Sequence, residues 1–364
     1  MSKKNCDKLC RKTSIGGQAL MEGIMMRGPE KSAMAVRRPN GEIFFEEVEI
    51  QKKKRPAICR WPLIRGVFGF VDSMAIGYKA LMRSADIFVE EVEEETTEEA
   101  VADPAPQNEQ PAEQEAQKTE PSAKEPKKMF SDTAMTVMMV ISVVLAVALF
   151  LGLFLWLPSF LHDQVLEKYL SFWPKGNRFE KSVTEAVMRV ILLVLYMASM
   201  LFMKDIRRTF MYHGAEHKTI FCYEKGVPLT VENVKKQQRF HPRCGTSFLV
   251  LMMLVGILVG FLIPASFEGV SPKLYTFIRT GIKVLLIPLN MGLGYELLKF
   301  AGRHENIVTR IISAPGMWLQ HITVLEPTDD MIECAIRAFL AVLPEEEKEK
   351  ETLAATGGQA QVSE

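Results

Sequence analysis

Two histidines four residues apart enclose a glutamate in His213-Gly214-Ala215-Glu216-His217. On a helix, positions i and i+4 share one face, so both imidazoles can reach a single metal ion. The H-x-x-E-H order is that of the inverted zinc peptidases, in which the glutamate is a general base rather than a ligand. Zinc held there lowers the pKa of bound water to about 7, and Glu216 is then the group to accept its proton in metal-assisted hydrolysis. A plainer reading fits the same stretch. Arg207, Arg208 and Lys218 make it a basic helix at headgroup level, suited to the phosphates of anionic lipids.

A third ligand is required, and two residues compete for the role. His241 lies in Phe240-His241-Pro242-Arg243-Cys244-Gly245. With Cys244 it would close a four-ligand structural site; without Cys244 it leaves a position for water, as catalysis needs. Glu296 is the alternative, at a separation from the histidine pair comparable to that of the downstream glutamate ligand in inverted zinc peptidases; it could instead pair with Lys299 or Arg189. Glu22, Arg27 and Arg243 are a further candidate polar site, the alternative being that Glu22 and Arg27 simply pair with each other. The first two lie in Gly16-Gly17-Gln18-Ala19-Leu20-Met21-Glu22-Gly23-Ile24-Met25-Met26-Arg27-Gly28-Pro29, whose four glycines imply tight turns or close backbone approach. This is not a phosphate-binding loop, because no Gly-Lys-Ser/Thr ends it. Met21, Met25 and Met26 are read as packing. The cysteines at Cys6, Cys10, Cys59, Cys222, Cys244 and Cys334 have no repeated spacing, which argues against a disulfide framework.

The elements that must position these groups are read from charge and hydropathy. Lys+Arg 44 balances Asp+Glu 44, but the charges are segregated. Residues 1–60 hold 14 basic and 7 acidic side chains, while 90–126 hold 13 acidic ones and two lysines. The predicted fold class is an α-helical membrane protein with about four transmembrane helices and a small β-containing cytosolic unit at the N-terminus. Residues 1–60 form that unit, with strands Ser32 to Arg38 and Glu42 to Ile50 paired across Pro39-Asn40-Gly41. Residues 61–89 form an amphipathic helix at the membrane interface, with Arg65, Asp72, Lys79 and Asp86 on one stripe; a helix packed on the soluble unit is the alternative. Residues 90–128 are an acidic disordered linker. Four spans follow within 129–300, at about 133–157, 183–203, 246–267 and 280–300. Glu185 and Arg189 in the second must snorkel or pair, and Lys283, Pro288, Asn290, Gly292, Gly294 and Glu296 make the fourth polar and kinked. Residues 301–343 are amphipathic cytosolic helices, the last starting at Thr328-Asp329-Asp330, and 344–364 an acidic tail.

Orientation follows from the loops. Residues 204–245 carry nine Lys/Arg, 158–182 four, and 264–272 none, which places the 204–245 loop in the cytosol. With four spans both termini are cytosolic, in keeping with a polar, basic opening at residues 1–12 that has no signal-peptide core. Five of six histidines, including His304 and His321, then share the cytosolic side, and His162 is outside.

These segments together resemble the YqhQ-like family of bacterial membrane proteins, a family of unknown function described as predicted metal-dependent enzymes. The resemblance is carried by GGQALMEGIMMRGP at 16–29, YHGAEHKTI at 212–220, FHPRCGTSF at 240–248, ISAPGMWLQ at 312–320 and LEPTDDMIECAI at 325–336. It implies a metal at His213 and His217 and supplies no substrate. The expected function is a metal-dependent hydrolase, zinc its metal, at the cytosolic face of the cell membrane. The alternatives are a non-catalytic scaffold or anionic-lipid-binding protein, and a small transporter using Asn290 or Glu296. The bilayer is the expected partner, with no nucleic acid.

Overall fold

Apolar residues run unbroken through the second and third of four short strands, and both faces of the resulting sheet are covered. The computed structural model describes residues 13–49, 56–101, 132–169, 178–264, 267–304 and 306–360. Strands β1 (Gly16–Leu20), β2 (Gly23–Arg27), β3 (Lys31–Arg37) and β4 (Ile43–Glu49) form an antiparallel meander in sequence order. The expected hairpin closes across Pro39-Asn40-Gly41, with Gly41 at φ +89° and Arg37 paired to Ile43. The glycine-rich segment, read only as turns, is itself a hairpin: Leu20 pairs with Gly23 around Met21 and Glu22.

Because side chains alternate along a strand, Ile24, Met26, Ala33 and Ala35 enter one core while Leu20, Met25, Met34 and Val36 enter another. The first core is completed by α6 (Lys204–Glu224) and α12 (Asp329–Val342). The second is closed by Ile76, Ala80 and Ile87 of α1 (Ile64–Val101). The helix expected at the membrane interface thus packs on the sheet, as the alternative reading had it, while Phe68, Val71, Met74, Tyr78 and Leu81 leave an exposed apolar stripe along it. It also runs through Glu90 to Val101, where a disordered linker was expected. Glutamate and alanine favour helix, and no proline interrupts them before Pro104. The rest of the linker, Cys6 and Cys10, and the final residues 361–364 lie outside the described residues.

Four spans are not recovered. Among the described residues two helices are long and apolar enough to cross a membrane, Val140–Leu166 and Phe179–Met200, or up to three if one bent pair is a single span. The first runs past the expected 133–157. Helix α2 (Asp132–Leu151) continues through a π-helical turn at Gly152–Trp156, α3 (Leu157–Leu161), a second π turn at His162–Leu166 and α4 (Glu167–Tyr169). The second lies within α5 (Arg178–Met200), which is followed by α6 and the short α7 (Val231–Lys235). The expected third span shrinks to α8 (Gly245–Gly260), whose 16 residues rise about 24 Å against about 30 Å of hydrocarbon. The expected fourth is α9 (Pro272–Leu285) and α10 (Ile287–Arg303), bent by 46° at Leu286. Pro288 explains the break, since it cannot donate to the preceding turn. Helix α11 (Ile307–Thr323), opened by an Asn306–Thr309 capping box, packs on α8; α13 (Glu345–Ala360) makes the expected acidic tail helical.

Candidate metal centre

Helix α6 is buried from Gly214 to Glu224, and two of its side chains, His213 and His217, meet the chain that leads into α8. Their rings are 4.4 Å apart. His213 Nδ1 lies 3.0 Å from the carbonyl oxygen of Thr323, and His217 Nδ1 2.5 Å from that of Arg239. A carbonyl cannot donate, so each Nδ1 carries the proton and each Nε2 keeps its lone pair. His213 Nε2 faces Cys244 Sγ at 3.1 Å. One ligand atom from each of His213, His217 and Cys244 lies within 4.8 Å of the others.

Burial prepares one of the three as a donor. Burial, then the neighbouring His213, holds His217 below the ordinary imidazole range, so it is neutral at pH 7. Cys244 is the N-cap of α8, and its sulfur accepts the Thr246 N–H at 3.4 Å. At two buried thiols away from this group, burial pushes Cys222 up to about 12 and Cys334 up to about 11. The donor set, two imidazoles and a thiol with both Nδ1 atoms held by carbonyls, fits a zinc-class ion.

Neither expected third ligand joins this group. His241 is close, its ring 5.6 Å from that of His217, but it is turned the wrong way. Its Nδ1 accepts the Arg243 N–H at 3.2 Å, which puts the proton on Nε2, and Nε2 faces Glu224 at 3.7 Å. No lone pair remains for a metal. Gln320 holds it there, bonding the His241 N–H and C=O at 2.8 Å each. Glu296 is held instead by Arg65 of α1, 2.6 Å from its Nε, rather than by Lys299 or Arg189. Glu296→Gln should therefore leave metal content per chain unchanged, measured by elemental analysis; a loss would return Glu296 to the ligand set.

Glu216 lies outside the three-donor group. Its Oε1 accepts the Gly17 N–H at 3.1 Å, and a Cβ on Gly17 would come within 2.7 Å of its carboxyl carbon. Gly17 is thus one of the close approaches that the glycine-rich segment implied. Burial raises the Glu216 carboxyl pKa, against the opposing influence of His213 and the Gly17 N–H. Gly17 also lines a cavity of about 290 Å³ with Ser14, Gln18, Arg27 and Ser73.

Glu22, Arg27 and Arg243 do not form one polar site. Glu22 pairs with Arg208, Arg27 lines the cavity, and Arg243 binds Glu224 and the Thr13 carbonyl. Two of the three cations read as lipid-facing are likewise occupied: Arg208 by Glu22, and the buried Lys218 by Glu326. The sequence reading missed Glu224 and Gln320, whose one available signal was a polar residue inside an apolar-flanked helix.

The profile of a family described as "Protein of unknown function (DUF1385)" matches residues 61–345, from α1 to the start of α13 and through every residue of the donor group. The chain belongs to that family. It is also similar to "Uncharacterized protein YqhQ" of Bacillus subtilis (strain 168), 30% identical over 333 residues, which are 91% of this chain and 92% of that one. No solved structure matches the chain. DUF1385 membership agrees with the resemblance read from the motifs and adds neither a substrate nor a metal.

Proposed function

We propose that this chain is a membrane metalloprotein that holds a zinc-class ion on His213, His217 and Cys244 and carries out hydrolysis at the cytosolic face. The observation that carries this reading is the pair of Nδ1–H bonds to the Thr323 and Arg239 carbonyls, which leave both Nε2 lone pairs beside one thiol. Three protein donors leave a fourth position open, the arrangement of catalytic rather than structural zinc. An ion bound there would supply Lewis-acid polarisation and a lowered pKa for water. Glu216, its pKa raised by burial, is the group to hold a proton beside that centre.

The membrane placement is supported by two further observations. In the most apolar 18-residue stretches of the two long helices only 6% and 11% is buried. Helix α6, which directly follows α5, packs on the sheet, so the second long helix ends on the sheet's side. The nine Lys/Arg of 204–245 assign that side to the cytosol.

Cobalt substitution tests the centre. The purified chain loaded with Co²⁺ should show a thiolate charge-transfer band that Cys244→Ser removes; absence of the band in the parent protein excludes this ligand set. Glu216→Gln should keep the ion while lowering hydrolysis of chromogenic acyl or phosphoryl esters by about 10²–10⁴-fold. Loss of the ion in that variant would make Glu216 a ligand. The 3.1 Å His213–Cys244 contact also fits a second reading, a metal-free cysteine nucleophile with a histidine base. Hydrolysis that survives chelation but not alkylation of Cys244 would select it.

A further inference from the structure

A second cluster of charged side chains lies far from the metal centre. Glu185 is on α5, about 22 Å of helix before its end at Met200. Three cations converge on this one carboxylate: Lys283 at 2.7 Å, Arg189 at 3.1 Å and Arg279 at 3.3 Å, all buried. Ser159 donates to it at 2.8 Å. The next carboxylate, Asp163, is occupied by Lys181 at 2.5 Å and Thr276 at 2.8 Å. The charge around Glu185 is thus three positive against one negative, in a bundle where an unbalanced buried charge is strongly disfavoured.

Two of those cations open onto empty space. Arg189 and Lys283 line a cavity of about 240 Å³ whose other walls are mainly apolar, among them Leu193, Met252 and Val259. Arg189 donates its Nε to the Phe154 carbonyl at 3.1 Å and one Nη to Glu185, which leaves its other Nη without a partner among the described residues. That carbonyl lies in the π-helical turn, where the helical hydrogen-bond pattern is disturbed. Asn290 Oδ1, also of the cavity wall, is buried with no donor. Phe150, Tyr196 and Leu249 line the cavity and are exposed on the helix flanks, so it communicates with the surface that lipid tails would cover.

We infer that this cavity binds an acyl chain of an anionic membrane phospholipid, whose phosphodiester is received by Arg189 and Lys283. The headgroup anion offsets the excess of positive charge, charge-assisted bonds fill the free guanidinium donors, and a headgroup hydroxyl can donate to Asn290. This site differs from the one the basic α6 suggested, where Arg208 and Lys218 are already paired. The inference rests on the membrane placement proposed above and is independent of the metal.

The test is competitive lipid retention. The full chain, purified and delipidated in detergent, is incubated with an equimolar mixture of dioleoyl phosphatidylglycerol, dioleoyl phosphatidylcholine and oleate, then examined by native mass spectrometry. Phosphatidylglycerol should be retained over phosphatidylcholine by about tenfold or more. Gly260 lines the cavity, and a Cβ there meets nothing within 4 Å. Gly260→Leu should therefore fold, keep its metal content, and lose retention by about tenfold. Lys283→Met should bring the two phospholipids to near parity. Equal retention of both by the parent protein, preference for oleate, or unchanged retention in Gly260→Leu would each overturn the site. A chain that stays monodisperse without any detergent would instead remove the membrane placement itself.

Discussion

His217→Ala is expected to reduce zinc affinity by more than about 100-fold, because loss of an outer-shell partner alone already costs up to that much. The parent protein, expressed with zinc and dialysed at neutral pH, should retain about one ion per chain; the variant should retain almost none. The physical argument concerns lone pairs rather than proximity. His217 Nδ1 is committed to the Arg239 carbonyl, so only its Nε2 can reach the ion, and no neighbouring imidazole can replace it. His241 is the obvious substitute by distance, but its proton sits on the side facing Glu224. His241→Ala should therefore retain the ion that His217→Ala loses. If His241→Ala loses it too, the tautomer argument fails and His241 belongs among the ligands. If the parent holds no metal and takes up none, the proposed centre is wrong.

The second large effect is on folding, and a single methyl group produces it. Gly214 lies where α6 crosses the segment leading to α12, and a Cβ there would sit well inside contact distance of the Leu325 carbonyl oxygen, with Pro327 also close. The obstacle is backbone and cannot swing aside. Leu325 is tied to α6 by its N–H bond to the Phe210 carbonyl, 3.0 Å long. Gly214→Ala must push the segment off the helix, at a cost of about 3 kcal/mol or more. The same shift carries away the Thr323 carbonyl that holds His213, so thermal unfolding and metal affinity should worsen together. Gly281→Ala is the control, since its Cβ meets nothing within 4 Å and its melting temperature should barely move. A Gly214→Ala protein as stable as the parent would contradict the close crossing.

Local patterns carried several elements correctly into three dimensions. The Pro39-Asn40-Gly41 turn places β3 and β4 within a residue of their expected bounds, because turn chemistry is a local property. The break before Pro288 was equally legible, for the same reason. Span count was not. An uncharged stretch from Thr246 to Phe267 is long enough on composition, but the α-helix within it ends at Gly260 and its cap at Phe261. The helical register through the π turns was also illegible, since it depends on which carbonyls find partners elsewhere. The Glu185 cluster was half visible: Glu185 and Arg189 at i,i+4 signalled a pair, and Arg279 and Lys283 repeat that spacing on α9, yet nothing in one dimension says that both pairs share a carboxylate.

By itself the sequence determined that His213 and His217 share a helix face, that Glu216 stands beside them, and that the apolar segments are segregated from the basic loop between them. Those properties follow from periodicity and composition, which act over a few residues. Only the tertiary structure decided which candidate third donor stands beside the two imidazoles. Cys244, His241 and Glu296 are all plausible by type, and the choice turns on which lone pair faces the imidazoles. That is set by Gln320 holding His241, by Arg65 engaging Glu296, and by α8 beginning at Cys244. Each of these partners is distant along the chain, so no local rule could have ranked them.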